Sequence, residues 1–270
     1  MGKLIVKSLG ILGLVLVAFM GGANQYRTRG WPFGRGYFQG FNKASFEARS
    51  ARIASWVERL KKGGYILYFR HAHREKWAEV EAFDFYEFAS QTEDASKTSF
   101  AKAVCLSEEG VEEAKMIGVT FRLAKIPTGV VVSSPSCRAK QTAVHAFGGY
   151  DAVDKSLKFA ALLGEKPLKE SPEQLLALLR RVAIEPGTNT IISGHSINLG
   201  PNGVGGIEGD FPGGNSPALL ETGFYVIERS SRDSLHLVFS FKSVSELATH
   251  AITVQQTPSS PTQPVTTGGQ

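Results

Sequence analysis

The sequence predicts an α/β fold, a three-layer α/β/α sandwich with a largely parallel central sheet. Two observations predict it. Short, largely apolar runs recur at 65–69, 129–133 and 190–193, the type of strand that a sheet covered on both faces needs. Between them lie segments of helical period, so strand and helix alternate. A chain of 270 residues with 42% hydrophobic residues can bury one sizeable core.

Residues 1–23 read as an export signal or membrane anchor. Lys3 and Lys7 form a basic start, 8–20 is uncharged and largely apolar, and Gly21-Gly22-Ala23 offers the small residues of a cleavage site. The apolar run is shorter than the roughly 20 residues of a spanning helix. Extended back to Leu4 it includes one lysine, and a retained anchor is then the alternative. Residues 24–42 form an arm rich in Gly, Arg and aromatics, including Trp31 and Phe38, without helical or strand period.

The folded domain is expected over 43–252. A helix over 43–62 carries Ile53, Trp56, Val57 and Leu60 on one face and closes on Lys61-Lys62-Gly63-Gly64. Strand 65–69 follows. Residues 72–104 lack clean periodicity and read as a long loop, with at most a short helix, over the strand end. Ser107 caps the next helix, whose first turn holds Glu108 and Glu109. Strand 129–133 leads to Ser134-Pro135, read as cap and first residue of a helix running to 147. A leucine-rich helix over 172–183 precedes strand 190–193, which ends at Gly194-His195. The glycine- and proline-rich stretch 200–217 is a loop, and 224–228 and 235–241 are closing strands. The tail 253–270, rich in Thr, Gln, Pro, Ser and Gly, reads as disordered.

In a parallel sheet the active site lies at the carboxyl ends of the strands. Three such ends carry chemistry: Arg70-His71, Ser133-Ser134-Pro135 with Arg138, and Gly194-His195. Two guanidinium forks suit the paired oxygens of a phosphate. Arg138, in a first helical turn, adds the helix dipole and free amides. A neutral imidazole attacks phosphorus without a base to activate it. Nearby cations keep His71 neutral, and His195 is placed to donate to the transferring group. Arg74 is close enough in sequence to reach the same anion. The other histidines, His73, His145, His236 and His250, lack such partners.

Taken together, these parts resemble the histidine phosphatase superfamily, with its phosphoglycerate-mutase-like fold. The elements that carry the resemblance are Arg70-His71-Ala72, Leu106-Ser107-Glu108-Glu109-Gly110, 133–143 with Arg138, and Ile192-Ser193-Gly194-His195, in family order across about 63–230. The resemblance is to an exported member of the first branch. It implies a phosphohistidine intermediate on His71 that water then hydrolyses, with Arg70, Arg138 and His195 binding the phosphoryl group.

One departure concerns the proton donor. Many members of that branch carry a glutamate soon after the second arginine, in a Leu-x-Glu context; here the comparable stretch is Leu157-Lys158-Phe159. Glu165 is the nearest substitute, and Glu208, Asp210 and Glu221 are the alternatives. A missing acid favours good leaving groups such as phosphoramidates or acyl phosphates, because an unprotonated alkoxide leaves poorly. Cys105 and Cys137 stand beside two helix starts expected on one face of the sheet, and a disulfide between them would fix the phosphate-binding loop.

The charge of +5 lies largely in the first 35 residues, in Lys3, Lys7, Arg27, Arg29 and Arg35. No basic stripe interleaved with aromatics points to nucleic acid. No ligand set has metal-site spacing, and no cofactor is expected. The expected partner is a small-molecule or glycolipid phosphate, in a periplasmic or extracellular setting, with membrane association through the N-terminus if the anchor is retained. A non-catalytic phosphate-binding or envelope-interaction protein of the same fold is the rival reading. Neither the natural substrate nor the oligomeric state is written in the sequence.

Overall fold

The computed structural model describes residues 43–75, 77, 83–84, 86–87, 90, 94–157, 171–200, 206–209, 219–230 and 234–256. Segments 1–23 and 24–42 lie outside these, as does the tail beyond 256. The chain divides into two units, Met1–Arg49 and Ser50–Gln270. Of the first, only the leading residues of helix α1 are described. Among the described residues no helix is long and apolar enough to cross a membrane.

In chain order the elements are α1 (Lys43–Leu60), β1 (Ile66–Arg70), α2 (Ala101–Val104), α3 (Glu108–Leu123), β2 (Thr128–Ser133), α4 (Cys137–Phe147), β3 (Ala152–Val153), α5 (Ser171–Arg181), β4 (Asn189–Gly194), β5 (Glu208–Gly209), β6 (Phe224–Arg229), β7 (Leu235–Phe241) and α6 (Val244–Gln256). Short 3-10 turns lie at Ala95–Lys97 and Lys155–Leu157. The strands form one seven-stranded sheet in the order β3-β2-β4-β1-β6-β7-β5. Pairs β1–β4, β2–β4, β2–β3 and β5–β7 are parallel; β6 runs antiparallel to both neighbours. The expected mixed α/β architecture is present.

Strand pleating sorts the core into two layers. Leu67, Phe69, Val131 and Ile191 face Val57, Leu60, Ile117, Phe121, Ala143 and Leu247 of α1, α3, α4 and α6. Ile66, Tyr68, Val132 and Ile192 face Leu175, Leu178 and Leu179 of α5. Strand β7 breaks this rule. Leu235 and Leu237 lie on the α5 side, whereas Phe239 and Phe241 lie on the other. The cause is a bulge: Val226 pairs with Phe239 and Ile227 with Leu237, so Val238 is an extra residue that flips the alternation. It lets Phe241 stack on Phe224 (ring centroids 4.5 Å apart), which stacks on Phe69 (4.6 Å), beneath the end of β1.

Two boundaries differ from the sequence expectation. Helix α4 begins at Cys137 with Ser136 as its cap, rather than at Pro135 with Ser134 as cap. Both serines are competent caps, but Ser134 is held by another partner described below. Helix α6 was not singled out from sequence, and it runs through Gln256, past the domain end expected at 252.

Ser107 does cap α3, accepting from the Gly110 amide at 3.1 Å. Gly110 is required for close approach: a Cβ there would lie 1.9 Å from the His73 carbonyl oxygen. Gly110→Ala is therefore expected to cost about 1–3 kcal/mol of stability through overpacking, read as a lower urea midpoint. It also displaces the backbone that follows His71. An unchanged midpoint would show that the loop yields freely.

Candidate active site

Register alone aligns the three strand ends. Arg70 sits opposite Gly194 in the β1–β4 pair, and Ser133 opposite Ser193 in the β2–β4 pair. The His71 amide donates to the Gly194 carbonyl (3.0 Å), and the Ser134 amide to the Ser193 carbonyl (2.8 Å). His71, Ser134 and His195 therefore leave the sheet side by side. The antiparallel β6 begins at this same edge, since Phe224 pairs with Phe69, and this brings Glu221 alongside.

The two imidazoles meet edge-on, with ring centroids 5.5 Å apart and planes 70° apart. His71 Nδ1 donates to the Ala72 carbonyl at 2.7 Å. A carbonyl only accepts, so the proton is on Nδ1 and Nε2 keeps its lone pair. His195 has the opposite tautomer. Arg138 Nη2 lies 3.3 Å from its Nδ1, and a guanidinium only donates, so Nδ1 accepts and Nε2 carries hydrogen. That Nε2–H points to the Ser134 hydroxyl at 3.0 Å and the Ser136 hydroxyl at 3.4 Å. Both rings are buried, and burial is the main reason their pKa values fall well below the usual histidine range; the Arg138 charge adds to it. Both are neutral at pH 7.

Three arginines surround the pair. Arg70 Nη1 donates to the Leu219 carbonyl (2.8 Å), and Nη2 lies 3.4 Å from Glu221 Oε1. Arg74 Nη1 donates to Asp84 Oδ1 and the Ala103 carbonyl, both at 3.3 Å. Arg138, only 2% exposed, donates with Nη1 and Nη2 to the two carboxylate oxygens of Asp84, at 2.7 and 3.1 Å. The same segment brings Glu87, whose Oε1 accepts from the Cys137 amide and whose Oε2 lies 3.9 Å from Arg138 Nη1. Burial, opposed by the Cys137 amide and by Arg138, pushes the Glu87 carboxyl up to about 7. Among the described residues Arg70 Nε, Arg138 Nε and Glu87 Oε2 are buried without a hydrogen-bond partner. Such atoms, clustered at one strand edge, suit a polar ligand.

The site is braced from α4. Thr142 Oγ1 accepts from the Ala72 amide (3.1 Å) and donates to the Arg138 carbonyl (2.8 Å). Gln141 Oε1 accepts from the Leu106 amide (2.8 Å). The expected disulfide is present: Cys105, at the C-terminal cap of α2, is bonded to Cys137, the first residue of α4. It ties the segment before α3 to the residue that precedes Arg138.

Arg70, His71, Arg74, Arg138 and His195 thus meet at one edge. Of the candidate acids, Glu221 lies at that edge beside Arg70. Glu208 does not; it is on β5, separated from β1 by β6 and β7 in the sheet. Glu165, Asp210 and Phe159 lie outside the described residues. Asp84, Glu87 and Ser136 were not singled out from sequence, and Ser134 was read as a helix cap rather than as a partner of His195. Asp84 and Glu87 did leave a trace, three residues apart in the Phe83-Asp84-Phe85-Tyr86-Glu87-Phe88 run, where acids among aromatics at helical spacing are unlike a solvated loop.

No family model and no curated protein matches the chain. Among solved structures, it is similar to the putative phosphohistidine phosphatase SixA from Agrobacterium tumefaciens, at 15% identity over 66% of this chain and 97% of that one, with a TM-score of 0.37. It is also similar to the protein histidine phosphatase SixA complexed with tungstate, at 16% identity over 66% and 96%, with a TM-score of 0.40. A third similar structure is Bacillus stearothermophilus YhfR, at 16% identity over 68% and 98%, with a TM-score of 0.40.

Proposed function

We propose that the protein is a phosphatase that hydrolyses a phosphomonoester or phosphoramidate through a phosphohistidine on His71. The observation that carries this reading is the pair of neutral, oppositely protonated histidines within an arginine cluster. His71 Nε2 attacks phosphorus with its lone pair, the bond to the leaving oxygen or nitrogen breaks, and the leaving group takes that electron pair and a proton. Water then attacks the phosphorus, the P–N bond to His71 breaks, and inorganic phosphate leaves. Arg70 and Arg138 neutralise the phosphoryl oxygens, and His195 donates its Nε2 hydrogen to the transferring group.

The compartment proposed is periplasmic or extracellular, with membrane association through 1–23 if that segment is retained. The Cys105–Cys137 disulfide supports an oxidising setting. A non-catalytic phosphate-binding protein is the second reading, favoured by one observation: Asp84 already holds both terminal nitrogens of Arg138. Rapid mixing of the full-length chain with labelled aryl phosphate, stopped so that the acid-labile P–N bond survives, tests between them. Label on His71 that turns over supports the phosphatase. Bound phosphate with no label and no hydrolysis over several pH values supports the binding protein.

A further inference from the structure

We propose that Glu87 is the proton donor to the leaving group, a role that rests on the phosphatase reading and that none of the acids singled out from sequence was required to fill. Four observations converge on it. Glu87 is 4% exposed, yet it lies beside the arginine that the anion would use. Its Oε1 is fixed by the amide of Cys137, so the carboxyl is oriented by the first turn of α4. Its Oε2 finds no hydrogen-bond partner among the described residues. A buried carboxyl with one oxygen anchored and the other unspent holds its proton on the unspent oxygen.

The charges around Glu87 agree. Asp84, on its own segment, opposes its ionisation, while Arg138 and Lys140 of α4 and the Cys137 amide favour it. Burial outweighs these, and the group stands at about 7, half protonated near neutrality. A dianionic substrate entering beside it adds negative charge and pushes the carboxyl further toward its acid form. The substrate thereby loads the donor it needs. Asp84 is less suited, because both its oxygens are spent on Arg138 and Arg74. Glu221 is ion-paired with Arg70.

The proton balance closes. In the first step Oε2–H gives its proton to the bridging oxygen as the P–O bond breaks, releasing an alcohol. In the second step the Glu87 carboxylate takes a proton from the water that attacks phosphorus, and the acid form returns.

The test compares two esters on the full-length chain, an aryl phosphate whose leaving group needs little acid help and an alkyl phosphate whose leaving group needs much. Glu87→Gln keeps an acceptor for the Cys137 amide and removes only the proton. The expected result is a fall in kcat of about 10²–10³-fold for the alkyl ester and less than about 3-fold for the aryl ester. The alkaline limb of the alkyl-ester profile should disappear with it. Equal losses on both esters, or none on either, would overturn the assignment while leaving the phosphatase intact. Should the variant not fold, the wild-type profiles decide. An alkaline limb confined to the alkyl ester supports Glu87, and a limb shared by both esters overturns it. A wild-type chain that hydrolyses neither ester removes the phosphatase reading and this role together.

Discussion

His71→Ala is expected to lower aryl phosphate hydrolysis by at least about 10³-fold, because the covalent route runs through its Nε2 lone pair and, among the described residues, no second nucleophile matches its position. The free lone pair sits on Nε2, and removal of the ring deletes it outright. Binding should survive better than turnover. Arg70, Arg138 and His195 remain, and inorganic phosphate should still raise the melting temperature of the variant by mass action. The structural cost is small, since among the described residues the only side-chain hydrogen bond of His71 is to the adjacent Ala72 carbonyl. Steady-state rates paired with thermal melts with and without phosphate check this. Residual activity within about tenfold of wild type would move the nucleophile elsewhere.

Arg138→Ala has the second large effect, and it reaches stability as well as rate. The guanidinium is buried and forked onto Asp84, with His195 and Glu87 within reach. Its removal leaves Asp84 with Arg74 as its one cationic partner among the described residues. Breaking one side of a buried pair costs about 3–5 kcal/mol, a drop in melting temperature on the order of 10 °C for a domain of this size. Asp84→Asn added to Arg138→Ala should recover part of that loss, because the stranded charge goes with it. The pH dependence has a defined sign. Burial and then Arg138 hold the His71 pKa down. Without Arg138 it rises, and the acidic limb of any residual activity moves to higher pH. In the wild type, the unfolded chain takes protons on these histidines below about 6.5 while the folded chain does not. Stability is therefore lost as pH falls through that range, and less so in the variant.

The parts of this molecule legible in its sequence were those whose causes are local. The apolar runs of β1, β2 and β4 announce strands covered on both faces, and Ser107 followed by two glutamates announces the start of α3. The strand-end residues Arg70, His71 and His195 could be grouped because parallel strands deliver their carboxyl ends to one edge. What stayed hidden depends on long-range competition. Ser134 and Ser136 are equal candidates for capping α4, and the outcome involves partners distant in sequence: the Cys137 amide that a Ser134 cap would take is held by Glu87, and His195 reaches both hydroxyls, at 3.0 and 3.4 Å. Asp84 and Glu87 were visible as charges, but a stretch without period does not say which way it folds back. Only the burial of Arg138 demands that some carboxylate come to meet it.

The extra residue at Val238 behaves as a frameshift in the reading of the sheet. Upstream of it, odd-numbered positions of β7 belong to one layer; downstream they belong to the other. Changes of side chain along β7 are local errors. Deletion of Val238 would keep the phase, because Leu237 would then adjoin Phe239, which already faces the opposite layer, and Phe241 would stay stacked on Phe224. The bulge is thus the slack in this strand: a residue lost there leaves every side chain on its own face, whereas one lost elsewhere in β7 flips the residues beyond it. An alignment that closes the gap at Val238 still pairs every following residue of β7 with its own face.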